Sequence, residues 1–360
     1  MKILHLADNL VLGGRERRLL EVIKGLVERG HEVTLVLFRD AIHYHEVYEL
    51  PIKLIVLKKR FKKDFLVYLK LFKICQDFKP DLVHTWGGVP SVMAVPLTLY
   101  CKQKLVNGMI ANSVCKPFTK DWFRSRLSFP FSSVVISNSK VGLKAYKVST
   151  RKGVIVSNGF NFKRLNGGVN LASVKDELGI ANKQMYIVGM VASINFRKDY
   201  PTFIAAAINV LKTRQDVLFV IIGDGEDRQA IEKSIPNSLK TNFRFMGKRQ
   251  DVDRFVAVFN VGVLATFAEG ISNSIMEYMA FGKPVVASDV AGNRELVEDA
   301  SSGFLVPVGD SVQMGAKIDS LLSDPRLSEM MGKRGVEIIE NNFSQVGMTD
   351  KYVEVYNKLS

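Results

Sequence analysis

Val261-Gly-Val-Leu-Ala265, Thr266-Phe-Ala-Glu-Gly270-Ile-Ser-Asn-Ser274, Ile275-Met-Glu-Tyr-Met-Ala-Phe281, Gly282-Lys-Pro284 and Val285-Val-Ala-Ser288 follow one another without a break. The first and last pieces are unbroken apolar runs. Such runs, rather than alternating ones, mark strands buried on both faces, which means parallel strands covered by helices. Between them stands a loop of small and polar residues, then a helical pattern over Ile275–Phe281 stopped by Gly282 and Pro284. The unit is strand, loop, helix, strand.

The same alternation runs the length of the chain. Short apolar runs occur at Ile3–Ala7, Val33–Leu37, Leu54–Leu57, Leu82–Thr85, Leu105–Gly108, Val134–Ser137 and Val154–Ser157, and again at Tyr186–Val191, Leu218–Ile222, Phe243–Met246, Val261–Ala265, Val285–Ser288 and Phe304–Val306. Strand and helix alternating through both halves predicts an α/β protein of two doubly wound, Rossmann-like domains. The seam is expected near Asn158–Leu171, where Asn158-Gly159 and Asn166-Gly-Gly168 are turn signals. This divides the chain into residues 1–165 and 166–343. A helical pattern from Asp176 is expected to lead into the second domain, and residues 344–360 are expected to form a helix that packs back on the first.

Composition narrows the class. The chain has 360 residues, 47% of them apolar, enough for substantial cores and too apolar for disorder. Cys75, Cys101 and Cys115 form no paired motif, so neither a disulfide framework nor a structural zinc site is expected. The opening residues do not read as a signal peptide, and Val89–Cys101 is too short to span a bilayer and holds Pro90 and Pro96. A cytoplasmic protein is expected. Residues 1–165 carry 29 Lys and Arg against 12 Asp and Glu, whereas the remainder is close to neutral. A basic first half implies an anionic partner, for which a diphosphate, anionic lipid or nucleic acid all qualify.

Ligands of open α/β sheets bind beyond the carboxyl ends of the strands. In the second half, the loop from Glu269 through Gly270, Ile271, Ser272, Asn273 and Ser274 opens a helix. Backbone N–H groups and the helix dipole there suit a phosphate, and Gly270 allows close approach. Glu277, one turn into the helix, can accept two hydrogen bonds from a ribose diol. Ser274-Ile-Met-Glu277 also fits a capping box, in which Glu277 only satisfies the helix start. Both readings stand on local pattern.

Glu269 and Glu277, with seven residues between them and Tyr-Met-Ala-Phe-Gly-Lys-Pro-Val-Val-Ala-Ser-Asp289 following, resemble the EX7E signature of retaining glycosyltransferases of family 4, which have the two-domain GT-B fold with a central cleft. The resemblance continues through Val188-Gly-Met-Val-Ala-Ser193, Lys198, Ile222-Gly-Asp-Gly225, Phe245-Met-Gly247, Gly292-Asn-Arg-Glu295-Leu-Val and Gly303-Phe-Leu-Val-Pro-Val-Gly-Asp310. Looser matches in the first half are Gly13-Gly14, Pro80-Asp-Leu-Val-His84 and Ile136-Ser-Asn-Ser139. It implies that Glu269 contacts the donor sugar, that Glu277 binds the ribose, and that the amides of Ile271–Ser274 hold the diphosphate. Lys198 would pair with the diphosphate and stabilise it as it leaves, with no metal or other cofactor required. Lys248 and Arg249 would line the base pocket. Ser193 stands where the family usually has an arginine, with Arg197 nearby to supply charge.

In the first half, Gly13 and Gly14 follow a strand and open a helix beside the expected donor phosphates. His84 ends another strand; the resemblance makes it a candidate for sugar contact or acid–base assistance, and packing beneath Trp86 is the alternative. Lys58–Lys63, followed by Phe65, Leu66, Tyr68, Leu69, Leu71 and Phe72, and Lys116, Lys120, Arg124 and Arg126 interleaved with Phe118, Trp122, Phe123, Leu127, Phe129 and Phe131, suit an anionic membrane surface or single-stranded nucleic acid, with membrane docking favoured. In the alternative the aromatics are core and the charges the wet face. The expectation is a hexosyltransferase that takes sugar from a nucleoside diphosphate (UDP favoured, GDP possible). Its acceptor would be a hydroxyl of a glycan or lipid-linked saccharide at the inner face of the cell membrane, in cell-surface polysaccharide synthesis, with no nucleic acid involved. A sugar-nucleotide epimerase, a phosphorylase, a nucleic-acid-binding protein and an inactive family member serving as a scaffold, to which Ser193 points, remain the rivals.

Overall fold

The structure is a computed structural model that describes residues 1–57, 66–110, 113–181 and 184–359. It divides into two compact units, Met1–Gly159 with Gln345–Ser360, and Phe160–Ser344.

The first unit runs β1 (Lys2–Ala7), α1 (Gly14–Glu28), β2 (Glu32–Leu37), β3 (Lys53–Val56), α2 (Leu66–Phe78), β4 (Leu82–Trp86), α3 (Gly88–Cys101), β5 (Lys104–Ile110), α4 (Lys120–Ser128), β6 (Val134–Ser137), α5 (Lys140–Ala145) and β7 (Gly153–Ile155). Its sheet has the order β3-β2-β1-β4-β5-β6-β7, with every neighbouring pair parallel. The central strands are covered on both faces, as in the wholly buried β4, where His84 and Thr85 are enclosed along with Leu82, Val83 and Trp86.

The second unit runs α6 (Leu171–Glu177), β8 (Tyr186–Val191), α7 (Tyr200–Leu211), β9 (Val217–Ile222), α8 (Arg228–Ser234), β10 (Phe243–Phe245), α9 (Val252–Val258), β11 (Val261–Leu264), α10 (Asn273–Ala280), β12 (Val285–Ser288), β13 (Gly303–Val306), α11 (Ser311–Ser323) and α12 (Pro325–Asn342). Its sheet order is β10-β9-β8-β11-β12-β13, again all parallel. All six residues of β9 are buried. At about 1.5–3 kcal/mol for each fully buried aliphatic or Phe side chain, this strand contributes on the order of 10 kcal/mol before chain entropy is counted.

The helix entering the second unit is not where the pattern from Asp176 placed it. Asn170 caps α6, its side chain accepting the Ser173 N–H at 3.1 Å, and Gly179, at φ +73°, follows the helix end. The polar cap thus outweighs the apolar pattern read further along. Beyond α12 the chain returns to the first unit as α13 (Gln345–Asn357), whose Met348, Tyr352, Val355 and Tyr356 join that unit's core. Where the chain leaves and re-enters, Phe160 N–H donates to the Phe343 carbonyl at 2.7 Å, and Phe160 bridges Ser344.

Both sheets contain a point where strand order reverses, between β1 and β4 in one and between β8 and β11 in the other. At such a point the loops leave in opposite directions and open a crevice. Gly13, Gly14 and His84 stand at or beside the first; Lys198 and Glu269 follow the two strands of the second.

Candidate active site

The loop after β8 and the loop after β11 are laced together. Thr266 Oγ1 and Phe267 N–H both donate to the Arg197 carbonyl, at 3.0 and 3.1 Å, and Asp199 N–H donates to the Ala265 carbonyl at 3.1 Å. Tyr278, buried on α10, accepts the Val191 N–H at 2.6 Å and so pins the end of β8. The result is an ion pair between Lys198 Nζ and Glu269 Oε2, with side chains only 14% and 21% exposed. A poorly hydrated ammonium and carboxylate pair is costly to break by removing one partner.

Two close approaches shape these loops. A Cβ on Gly292 would collide with the carbonyl oxygens of Glu269 and Gly270, so only glycine lets that segment lie against the Glu269 loop. A Cβ on Gly223, which also sits at φ +146°, would strike the Ala192 carbonyl beside Ser193. These two motif glycines therefore serve backbone packing beside the Glu269 and Ser193 loops.

Ser272, not Ser274, caps α10, accepting the Ile275 N–H. Ser274 lies inside the helix, and its hydroxyl meets that of Ser272 at 3.1 Å. This overturns the capping box drawn from Ser274 to Glu277, because Glu277 is too far along the helix to be its third residue. Glu277 is buried, and its Oε1 instead accepts from Arg164 Nη2 at 2.9 Å. Gly270 and Ile271 are buried, and Asn273 and Ser274 are half-buried at the helix start.

Ser193 is exposed and its hydroxyl accepts from Asn195 Nδ2 at 2.9 Å; Arg197 is exposed beside it. Lys248 is exposed as well. Arg249 is committed elsewhere: its guanidinium binds both Asp251 carboxylate oxygens at 2.8 Å, pairs with Glu177 at 3.0 Å, and lies over Phe255. Its side chain is thus tied into a surface ion network, which accounts for the Asp251 carboxyl being drawn down to about 2.

In the first unit, Gly13 caps α1 with extended backbone and meets the Tyr44 hydroxyl through both its N–H and carbonyl, at 3.4 and 3.3 Å. Gly14 is the first residue of α1. His84 does not reach a surface. It is wholly buried, its Nδ1 lies 2.7 Å from the Tyr356 hydroxyl, and its ring packs against Trp86, Tyr352 and His5. Burial, with His5 and Arg18 nearby, holds its pKa well below the ordinary histidine range. The expectation that His84 touches sugar or moves protons therefore gives way to the packing alternative: a neutral imidazole sealed by α13 has no access to a reactant. Its neighbour His5 accepts the Trp86 indole N–H at 2.9 Å and is pulled down to about 3 by burial alone.

Residues 12–164 match the family model Glycosyltransferase Family 4, and residues 185–324 match Glycosyl transferases group 1. The chain is a family 4 glycosyltransferase. Its two parallel-sheet, Rossmann-like units are those of the GT-B architecture. This glycosyltransferase is 24% identical over 310 residues to the Escherichia coli UDP-Gal:alpha-D-GlcNAc-diphosphoundecaprenol alpha-1,3-galactosyltransferase, covering 82% of this chain and 79% of that one. It is 25% identical to the Campylobacter jejuni N,N'-diacetylbacillosaminyl-diphospho-undecaprenol alpha-1,3-N-acetylgalactosaminyltransferase, covering 94% of each. Among solved structures, the Anabaena HepE protein in complex with UDP-glucose superposes with a TM-score of 0.87 at 22% identity, covering 99% of this chain and all of that one. That likeness concerns the fold.

Sequence reasoning passed over Arg164 and Asp253. Arg164 lay in the stretch read as a seam, and its only signal was a lone arginine among turn residues. Phe118, Phe123, Leu127 and Phe131 are 79%, 50%, 57% and 51% exposed around α4, so for these side chains the alternative that the apolar groups are core does not hold. Lys58–Lys63 lies outside the described residues. No helix among the described residues is long and apolar enough to cross a membrane.

Proposed function

We propose that this glycosyltransferase is a retaining hexosyltransferase that takes its sugar from a nucleoside diphosphate, UDP in first place. The Lys198–Glu269 pair, set where strand order reverses in the second unit, carries this reading. Glu269 accepts hydrogen bonds from donor-sugar hydroxyls, while Lys198, supported by the exposed Arg197, neutralises the departing diphosphate. Glu277 receives the ribose. The backbone of Gly270–Ser274 at the start of α10 faces the diphosphate, where the helix dipole favours anions. Ser193 supplies no charge, which leaves Lys198 and Arg197 as the cations of the site. Lys248 and the backbone at Arg249 border the base. No bound metal or other cofactor takes part in this scheme. Donor binding is the second unit's role, and the first takes the acceptor near Gly13 and Gly14.

The acceptor is a hydroxyl of a glycan or lipid-linked saccharide in cell-surface polysaccharide synthesis. The two relatives named for undecaprenyl diphosphate substrates support this, as does the basic first half. The exposed aromatics and cations around α4 fit a protein that docks peripherally on the anionic inner face of the cell membrane. Thermal melting with a panel of UDP-, GDP- and ADP-sugars tests the donor: at a hundred times its Kd, a true donor stabilises the protein by about 2.7 kcal/mol. A panel in which no sugar nucleotide shifts the melting temperature removes the reading.

A further inference from the structure

The side chain of Glu277 is almost wholly enclosed, and it is paired there with a cation. Arg164 Nε donates to Asp253 Oδ2 at 2.9 Å, and its Nη2 donates both to Asp253 Oδ1 and to Glu277 Oε1, the latter at 2.9 Å. The guanidinium plane lies over the Phe160 ring, 4.8 Å from its centre. One planar fork is thus fixed from three directions: by a carboxylate at the start of α9, by an aromatic ring, and by the carboxylate of α10 it grips. The two carboxylates outweigh the cost of burying the cation and keep it charged. The trio has one positive and two negative charges. It is unsuited to a phosphate and suited to hydroxyl groups that donate.

We infer that Arg164 is a positioning residue: through Asp253 and Phe160 it sets the plane of the Glu277 carboxylate for the ribose diol of the nucleotide. The inference rests on the reading that Glu277 binds ribose. A glutamate otherwise spends rotamer freedom on binding, and a carboxylate already gripped by a fixed guanidinium has that cost met in advance. A purely structural Arg164 would only tie the segment after Gly159 to its unit, and the two roles separate in one measurement.

The ratio of affinities for UDP and 2′-deoxy-UDP reports the ribose contact and is insensitive to a general loosening of the site. The wild-type protein is expected to prefer UDP at least about tenfold, the usual worth of a hydrogen bond to a charged group. In Arg164→Met the ratio should fall to within about twofold of unity, while the affinity for 2′-deoxy-UDP changes little; Arg164→Lys should recover part of it. An Arg164→Met protein that keeps the wild-type ratio overturns the inference. If that variant does not fold by circular dichroism, Asp253→Ala decides in the same way, since it removes the acceptors that fix Arg164 without touching Glu277: a lowered ratio supports the role and an unchanged one refutes it. A wild-type protein that binds UDP without preferring it over the deoxy form removes the ribose reading and the inference with it. One that binds GDP instead is tested with GDP and 2′-deoxy-GDP.

Discussion

Acid should loosen the first unit well before ordinary carboxylates titrate. His5 is fully buried and holds a pKa of about 3, against 6.5 for a free histidine. It is neutral in the fold, while the unfolded chain takes up a proton below pH 6.5. Stability is therefore complete above pH 6.5 and is lost as pH falls from there towards 3. At pH 5 an unfolded histidine is almost fully charged and the folded one almost uncharged, which costs about 2 kcal/mol for His5 alone. His84 shifts the same way for the same cause, so the loss between pH 8 and pH 5 should exceed about 2 kcal/mol. Both tryptophans, Trp86 and Trp122, lie in the first unit, so indole emission during urea unfolding follows that unit alone. With a typical urea slope, the midpoint should drop by about 1 M between pH 8 and pH 5. His5→Asn can still accept from the Trp86 indole but cannot charge, and should remove a large share of the dependence while lowering stability at pH 8. A midpoint that is flat across this range, or an unchanged dependence in the variant, would refute the account of these histidines as buried and neutral.

Three further outcomes follow from the geometry. Lys198→Met should lower sugar transfer by about 10²–10³, as when one preorganised group is taken from a developing anion; a rate within threefold of wild type would clear Lys198 of that role. Gly292→Ala forces a methyl group against the Glu269 and Gly270 carbonyls and should destabilise the second unit by about 1–3 kcal/mol in calorimetry, with weaker nucleotide binding. An unchanged transition would show that the loop gives way freely. Phe123→Ser with Leu127→Ser, both exposed on α4, should reduce flotation with anionic liposomes while leaving the melting temperature unchanged; undiminished flotation would place any membrane contact elsewhere.

The strands were legible because a parallel sheet needs apolar residues on both faces, and runs such as Val285–Ser288 and Tyr186–Val191 can be nothing more polar. The Glu269 loop was legible as a connection from strand to helix because its small and polar residues interrupt the apolar run of β11 before the helical pattern of α10. What stayed hidden depends on partners distant in sequence. His84 stands at the end of a strand, as a reactive group would, yet 272 residues later Tyr356 arrives to seal it in. Glu277 looked like a cap or a ribose ligand from its neighbours alone; the arginine that holds it lies 113 residues earlier. Arg249 sits after a strand as a ligand-binding residue might, but Asp251 and Glu177 have claimed its charge. Spacing tells which element a residue joins, whereas burial and ion pairing are decided by elements that only folding brings near.

The helix α13 has a consequence for how the protein is made. Chains are synthesised from the amino end, and the first domain usually folds first. Here residues 1–159 emerge without Met348, Tyr352, Val355 and Tyr356, so the floor of their core, around His84 and Trp86, has no cover until residues 345–360 have been translated. The second unit is one unbroken segment, 160–344, and has all its parts sooner. Vectorial synthesis therefore completes the later unit before the earlier one, and a ribosome that stops short of Gln345 leaves its defect at the opposite end of the gene product from the break.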